Sequence, residues 1–273
     1  MKKSKTKKEE AFVGPKILIF DIETSPVTSY IWSLRQKFIP IDMLKANQFV
    51  LCWAAKWLGS DEVITQKLPD HKSFYKKDRE DDKKILEPLW HLMDEADMVV
   101  AHNASRFDVP VVNGRFLYHG MTPPDPYKII DTLTIARREF RLVSNKLDYL
   151  GEYLKEGKKN KTDFSLWLGC MNGDKASWDE MMAYNVEDTL LLERVYLKLR
   201  AWDKRHPNIG LYVDDAKPRC TACGSTNIIK KGTEKTQVGM YQRWSCKNCG
   251  HPNRGRYTIL PKDQRKTLLT NAV

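Results

Sequence analysis

Apolar and polar positions along this chain follow two periods. Residues 16–24, KILIFDIET, form a nearly continuous apolar run that ends in acids. That pattern predicts a central strand buried on both faces. FVLCWAAKWL (49–58) and EVITQKL (62–68) predict the next two strands, joined as a hairpin by a turn at Gly59–Asp61. DREDDKKILEPLWHLMDEA (78–96) starts acidic and then shows helical apolar spacing, which predicts a helix despite Pro88. A short buried strand follows at 97–103 (DMVVAHN), then a helix over 108–119, and then KIIDTLTIARREF (128–140), a brief strand running into a helix. A short helix is expected at 146–155 and the longest at 176–202. Strands first, then alternating strand and helix, predict an α/β sheet flanked by helices. No internal repeat is visible.

The 273 residues, 31.8 kDa, suffice for one full domain and a small second one. With 41% apolar and 10% aromatic residues, a disordered chain is excluded. No run approaches the ~20 apolar residues of a membrane span. The N-terminus, MKKSKTKKEEAFVGPK, lacks the apolar centre of a secretory leader, so a cytoplasmic protein without membrane contact is expected. The net charge of +11 is unevenly placed. Residues 1–16 carry +4, residues 217–273 carry +10, and the stretch between carries −3. A near-neutral body with basic ends predicts a polyanionic partner, although basic ends also serve solubility alone.

Four of the six cysteines form two pairs, Cys220/Cys223 and Cys246/Cys249, each C-x-x-C followed by Gly. Two thiolates three positions apart in a tight turn reach one ion, and two such knuckles complete a tetrahedral shell suited to structural zinc. The segments TNIIKKG, MYQRWSC and RYTIL around them read as short strands. Together they resemble a zinc ribbon, a module too small to bury much core and so dependent on its metal. Cys52 and Cys170 are expected as core thiols. His251 is expected at the surface, because four cysteines already fill the shell. DDAKP (214–218) reads as a linker, giving a basic tail over 1–15, a main domain over 16–212, a ribbon over 213–262 and a C-terminal tail over 263–273.

Several acids stand where apolar residues are expected. Asp21 and Glu23, two apart on the first strand, share one face. Like charges at the end of a buried strand repel, and a divalent cation removes that cost. The alternative is a strand that has already emerged into solvent. On the longest helix, Asp188 continues an apolar stripe shared by Tyr184, Leu191, Val195 and Leu199, while Glu187 faces away. Asp108 follows Phe107 where a helix cap would also fit.

The motifs FDIET, HNASRFD and YNVED, in this order over about 16–200, resemble the DEDD superfamily of 3′→5′ exonucleases, which has the RNase H-like fold. Tyr184, four residues before Asp188, is similar to the Tyr subtype, which includes the proofreading domains of family-A and family-B DNA polymerases. The resemblance implies an RNase H-like mixed sheet flanked by helices, with the ribbon as an appended domain. It implies hydrolysis of DNA or RNA phosphodiester bonds with two Mg²⁺ or Mn²⁺ ions. Asp21 would bridge both ions, Glu23 and Asp188 would complete the first site, and Asp108 would hold the second. Tyr184 would orient the attacking water; a phenol with an ordinary pKa of ~10 orients more readily than it accepts a proton. Asp131, in the segment after the second motif, is expected to be structural. The expected partner is nucleic acid with a free 3′ end, single-stranded, contacted by Thr24, Asn103 and Arg106. Tyr30 and Trp32 either stack on the terminal base or anchor a loop in the core. In the ribbon, Lys230, Lys231, Lys235, Arg243, Lys247, Arg254 and Arg256 interleave with Tyr241, Trp244 and Tyr257. That mixture suits nucleic-acid tethering, with docking of a protein partner as the alternative. Two rival readings are a transposon-type RNase H-like endonuclease with a zinc ribbon and an inactive nucleic-acid-binding adaptor.

Overall fold

The central strand of the main sheet is β1 (Ile17–Thr24), whose first four residues are buried on both faces. The computed structural model describes residues 14–71, 80–158 and 162–271. Residues 1–13 of the expected basic tail, and residues 78–79 of the expected first helix, lie outside them. A two-stranded ladder, β2 (Thr28–Ser29) with β3 (Leu44–Ala46), follows β1. Next comes β4 (Val50–Trp57), which pairs antiparallel to β1, and β5 (Ile64–Lys67), which closes the predicted hairpin.

The remaining elements of this unit alternate. They are α1 (Lys83–Glu95), β6 (Met98–Ala101), α2 (Asp108–Tyr118), β7 (Lys128–Asp131), α3 (Thr132–Glu139), α4 (Leu147–Tyr153), α5 (Phe164–Asn172) and α6 (Lys175–Leu199). The sheet order is β5-β4-β1-β6-β7, with β6 and β7 parallel to β1. The mixed α/β sheet flanked by helices is therefore present.

Helix α6 sets the position of the third motif. It contains no Gly or Pro across 25 residues, and its buried stripe runs Trp178, Met181, Tyr184, Asp188, Leu191, Val195 and Leu199. Gly173, at φ 84°, ends α5, and the Asp174 carboxylate caps α6 by accepting the Ser177 N–H at 2.8 Å. The helix packs on β1 and β4. Lys56 of β4, nearly buried, forms an ion pair with Glu193 of α6 that ties the two together. At the other end, the fully buried Asp82 accepts the Val50 N–H at 2.8 Å, a two-pronged bond from Arg115 at 2.8 Å per prong, and a contact from His119 at 2.6 Å. One carboxylate so links β4, the start of α1 and the end of α2. Helix α5 is one that the sequence pattern did not reveal, and a short helix at Lys262–Thr267, in the stretch read as a C-terminal tail, is another.

Residues 200–273 form a compact unit separate from residues 16–199. Its sheet is antiparallel, β10 (Pro252–Thr258)-β9 (Met240–Cys246)-β8 (Ile228–Lys235), followed by a short helix α7 (Lys262–Thr267). The Ile209 N–H bonds the Thr221 carbonyl at 2.8 Å, so the stretch just before the first cysteine packs with the ribbon. His251 corrects an expectation: it is buried, with Nδ1 at 2.8 Å from the Ala201 carbonyl. The four cysteines cluster without this ring, which pins residue 201 instead. Cys52 and Cys170 are buried thiols, and burial pushes both pKa values up, that of Cys170 to about 12.

Candidate functional site

A cavity of about 880 Å³ lies where β1, α2 and α6 meet. Its lining includes Asp21, Glu23, Asn103, Asp108, Tyr184 and Asp188, so three sequence motifs that lie far apart along the chain share one space. The alternation of β1 turns Asp21 and Glu23 to the same side, opposite the buried Ile22. Carboxylate oxygens of Asp21, Glu23 and Asp188 lie within 4.8 Å of one another. Asp108 stands outside that cluster but lines the same cavity.

The donor set fits a hard divalent cation. Three carboxylates this close carry unfavourable mutual repulsion, and oxygen ligands are those that Mg²⁺ and Mn²⁺ prefer. Asp108 adds a second observation. It is almost fully buried, and its Oδ2 finds no hydrogen-bond partner among the described residues. Burial pushes its pKa up to about 7, against the pull of its own backbone N–H and that of Ile22; Asp131 adds to the rise. A buried carboxyl with an orphaned oxygen is one that a cation would satisfy.

Neighbouring groups hold the acids in place. Asn185 is fully buried on α6 and donates from Nδ2 to Asp21 Oδ2 at 2.7 Å. Sequence reasoning missed this residue; its one signal is an amide directly after Tyr184 in a helix interior. Thr189 donates to the carbonyls of Asn185 at 3.0 Å and Ala54 at 3.3 Å, fixing that turn against β4. Asp131 accepts four backbone N–H groups, from Asn103, Ser105, Leu133 and Thr134, at 3.0–3.1 Å. It thereby caps α3 and holds the loop that precedes Asp108. Asn103 in that loop takes φ 78°, a left-handed conformation that asparagine tolerates better than most residues. Tyr184 lies edge-on to Trp167 of α5, with ring centroids 6.4 Å apart.

Of the expected nucleic-acid contacts, Asn103 lines the cavity, whereas Arg106 is exposed outside the lining. Thr24 lies outside it too, its Oγ1 accepting from Gln48 at 2.6 Å. Arg137 and Lys146, which the sequence did not single out, line the cavity as exposed cations, and the half-buried His102 lines it too. Tyr30 and Trp32 are exposed, which excludes the core-anchoring alternative.

In the second unit, the Sγ atoms of Cys220, Cys223, Cys246 and Cys249 lie within 4.8 Å of one another. Cys220–Cys249 and Cys223–Cys246 are each 3.6 Å apart, far beyond the ~2.05 Å of a disulfide. Four sulfurs ~2.3 Å from a tetrahedral zinc would be separated by about 3.8 Å, so the spacing fits that ion. Both knuckles close alike. Gly224 (φ 71°) and Gly250 (φ 83°) donate to the carbonyls of Cys220 and Cys246 at 2.9 and 3.0 Å. A hydrogen bond from Cys220 draws Cys223 down to about 4, while the same bond and burial hold Cys220 up. Burial holds Cys249 up at about 11. A thiophilic dication bound by these sulfurs would displace the protons that Cys220 and Cys249 hold. Around it, the expected basic and aromatic residues meet in pairs: Lys230 lies 5.7 Å from the Trp244 ring, Arg254 4.7 Å from Tyr241 and Arg256 5.9 Å from Tyr257.

Among the described residues no helix is long and apolar enough to cross a membrane. A family model described as RNase_H superfamily matches residues 56–200. No curated protein matches. Among solved structures, the chain is similar to the family B DNA polymerase from the hyperthermophilic archaeon Pyrobaculum calidifontis, at 16% identity and a TM-score of 0.48. That similarity covers 69% of this chain and 25% of the polymerase.

Proposed function

This chain belongs to the RNase_H superfamily, and from that membership we propose that it is a metal-dependent 3′→5′ exonuclease acting on DNA or RNA. One observation carries the reading: Asp21, Glu23, Asp108, Asp188 and Tyr184 all line a single open cavity. Asp21, Glu23 and Asp188 would hold one ion, and Asp108 together with Asp21 a second. Bound there, a pair of Mg²⁺ or Mn²⁺ ions would supply Lewis acidity to the entering and leaving oxygens and offset the charge of the phosphodiester.

The chain's own groups do the rest. Asn185 fixes the orientation of Asp21 through its 2.7 Å bond. Tyr184, one turn before Asp188 on α6, directs its hydroxyl at the attacking water and orients it. Arg137 and Lys146 contribute positive charge to the strand's phosphates from the cavity lining. The loop held by Asp131 keeps Asp108 at a fixed place while the strand moves through.

In the ribbon, Lys230, Lys231, Arg243, Trp244, Arg254 and Arg256 would tether the substrate, while zinc on the four cysteines serves structure alone. The division of labour follows the two compact units, with the nuclease reading resting on residues 16–199 and the ribbon on residues 200–273.

The test is degradation of 5′-labelled single-stranded DNA and RNA with Mg²⁺ or Mn²⁺. The expected result is a ladder shortened from the 3′ end, absent in Asp21→Asn and Asp188→Asn. Equal rates in those variants would reject the assignment. A closed circular strand must survive; cleavage of it would replace this reading with an endonuclease.

A further inference from the structure

Large apolar side chains left in water are usually scattered singly. Here they are not. Eight of the 24 exposed large hydrophobics among the described residues fall within the fifteen residues 27–41. Trp32 is 90% exposed, Leu34 95% and Phe38 75%.

The segment is nonetheless held in a defined shape. Thr28 pairs with Ala46 and Ser29 with Leu44, and the Tyr30 N–H bonds the Met43 carbonyl at 2.9 Å. At the tip, Gln36 bonds the Ser33 carbonyl from its backbone N–H and the Phe38 carbonyl from its side chain. These bonds tie the backbone at its base and tip while the rings stay exposed.

The segment is also continuous with the carboxylate site. Glu23 pairs with Cys52 and Thr24 with Val50. Ser25 and Phe49 then exchange two bonds, at 2.9 and 3.1 Å, and the ladder of β2 and β3 follows. The β1–β4 hairpin thus extends past Glu23 as an arm. Ser29 lies five residues beyond Thr24, roughly 17 Å of extended chain, a reach longer than one nucleotide. Arg35, Lys37 and Lys45 are exposed along the arm, against Asp42 as its acid.

We propose that this arm, residues 27–47, grips the single-stranded polynucleotide upstream of the terminal nucleotide, with Trp32 and Phe38 stacking on bases and Arg35 and Lys37 on phosphates. Exposed rings interleaved with cations, on a net-positive arm rooted beside a nuclease site, are the pattern that single strands select. A protein partner would account for the apolar surface but not for the excess of cations. The direction of the strand rests on the exonuclease reading; binding to the arm does not.

The experiment separates the two. In the full-length Asp21→Asn background, fluorescence anisotropy measures the affinity for labelled twenty-nucleotide DNA and RNA strands. The Trp32→Ala/Phe38→Ala variant should bind about tenfold or more weakly. The Arg35→Gln/Lys37→Gln variant should lower the slope of log affinity against log salt by about 1.4. All four side chains are exposed, so melting temperatures should stay unchanged. Unchanged affinity and slope would overturn the proposal. So would self-association of the parent chain in sedimentation that the aromatic variant abolishes while affinity holds, because the arm would then join two copies. With active Asp21 restored, the aromatic variant should raise KM more on a twenty-nucleotide strand than on a three-nucleotide one. Absence of hydrolysis by the parent would end the exonuclease reading, and the anisotropy would still decide the arm.

Discussion

The carboxylate cavity and the cysteine cluster each bring four side chains of metal-binding chemistry together, but they are held there by different means. Asp21, Glu23, Asp108 and Asp188 stand on a strand and two helices whose apolar faces are already buried. The core places the acids, and the acids add repulsion that the core tolerates. The cysteines have little behind them. Their buried cluster comprises Cys220, Ala222 and Cys246, with Ile228 and the other two cysteines packed against it. There the cysteines are themselves the core. An ion at the carboxylates would serve chemistry, whereas an ion at the cysteines would serve folding.

Removal of zinc, or Cys220→Ser, puts the contrast to its severest test. The ribbon should lose on the order of 10 kcal/mol and unfold, while residues 16–199 keep their own melting transition. Two-transition calorimetry, with hydrolysis of a short oligonucleotide alongside, would read it. Collapse of both transitions together would erase the distinction. In the carboxylate site, Asp21→Asn and Asp188→Asn should each lower kcat by about 10³-fold or more without lowering the melting temperature.

Asp108 supplies a pH test of the same difference. Its folded pKa is raised, so its contribution to the stability of the metal-free protein is complete below the ordinary carboxylate pKa of about 4. That contribution is lost as pH rises through about 7. Denaturant midpoints of metal-free protein between pH 4 and 8 should fall, and Asp108→Asn should flatten the trend. The smallest effect is expected at a positioning residue. Asn185→Ala should cost about 10–100-fold in metal affinity, measured by calorimetric titration with Mn²⁺, while Tyr184 and Asp188 keep their places. Unchanged affinity would remove Asn185 from the site.

Particular residues show how much was readable in advance. The first strand, its hairpin partner and the longest helix follow directly from period-2 and period-3.6 patterns that burial enforces. Helix α5 did not. In FSLWLGCMN, apolar residues occupy nearly every position, so no face stands out, and a mid-helix glycine argues for a turn. Gly169 has a packing reason instead: a Cβ there would come within 2.0 Å of Ser177 Oγ on α6. His251 was misread as a surface residue because its partner, the Ala201 carbonyl, is fifty positions away. Asn185 was overlooked because nothing local tells a buried amide that orders a carboxylate from one that faces water.

The sequence by itself determined the identity and order of the candidate ligands. Paired acids on one strand, an acid on an apolar helical stripe and two C-x-x-C-G knuckles are local patterns, governed by pleat, helical turn and tight-turn geometry. Only the tertiary structure decided which of them meet, which oxygen is left unpaired in the interior, and which apolar residues stay in water. Those outcomes depend on contacts between segments tens to more than a hundred residues apart. Such contacts are fixed by the packing of the whole core and the pairing of the sheet, which no single stretch of chain encodes.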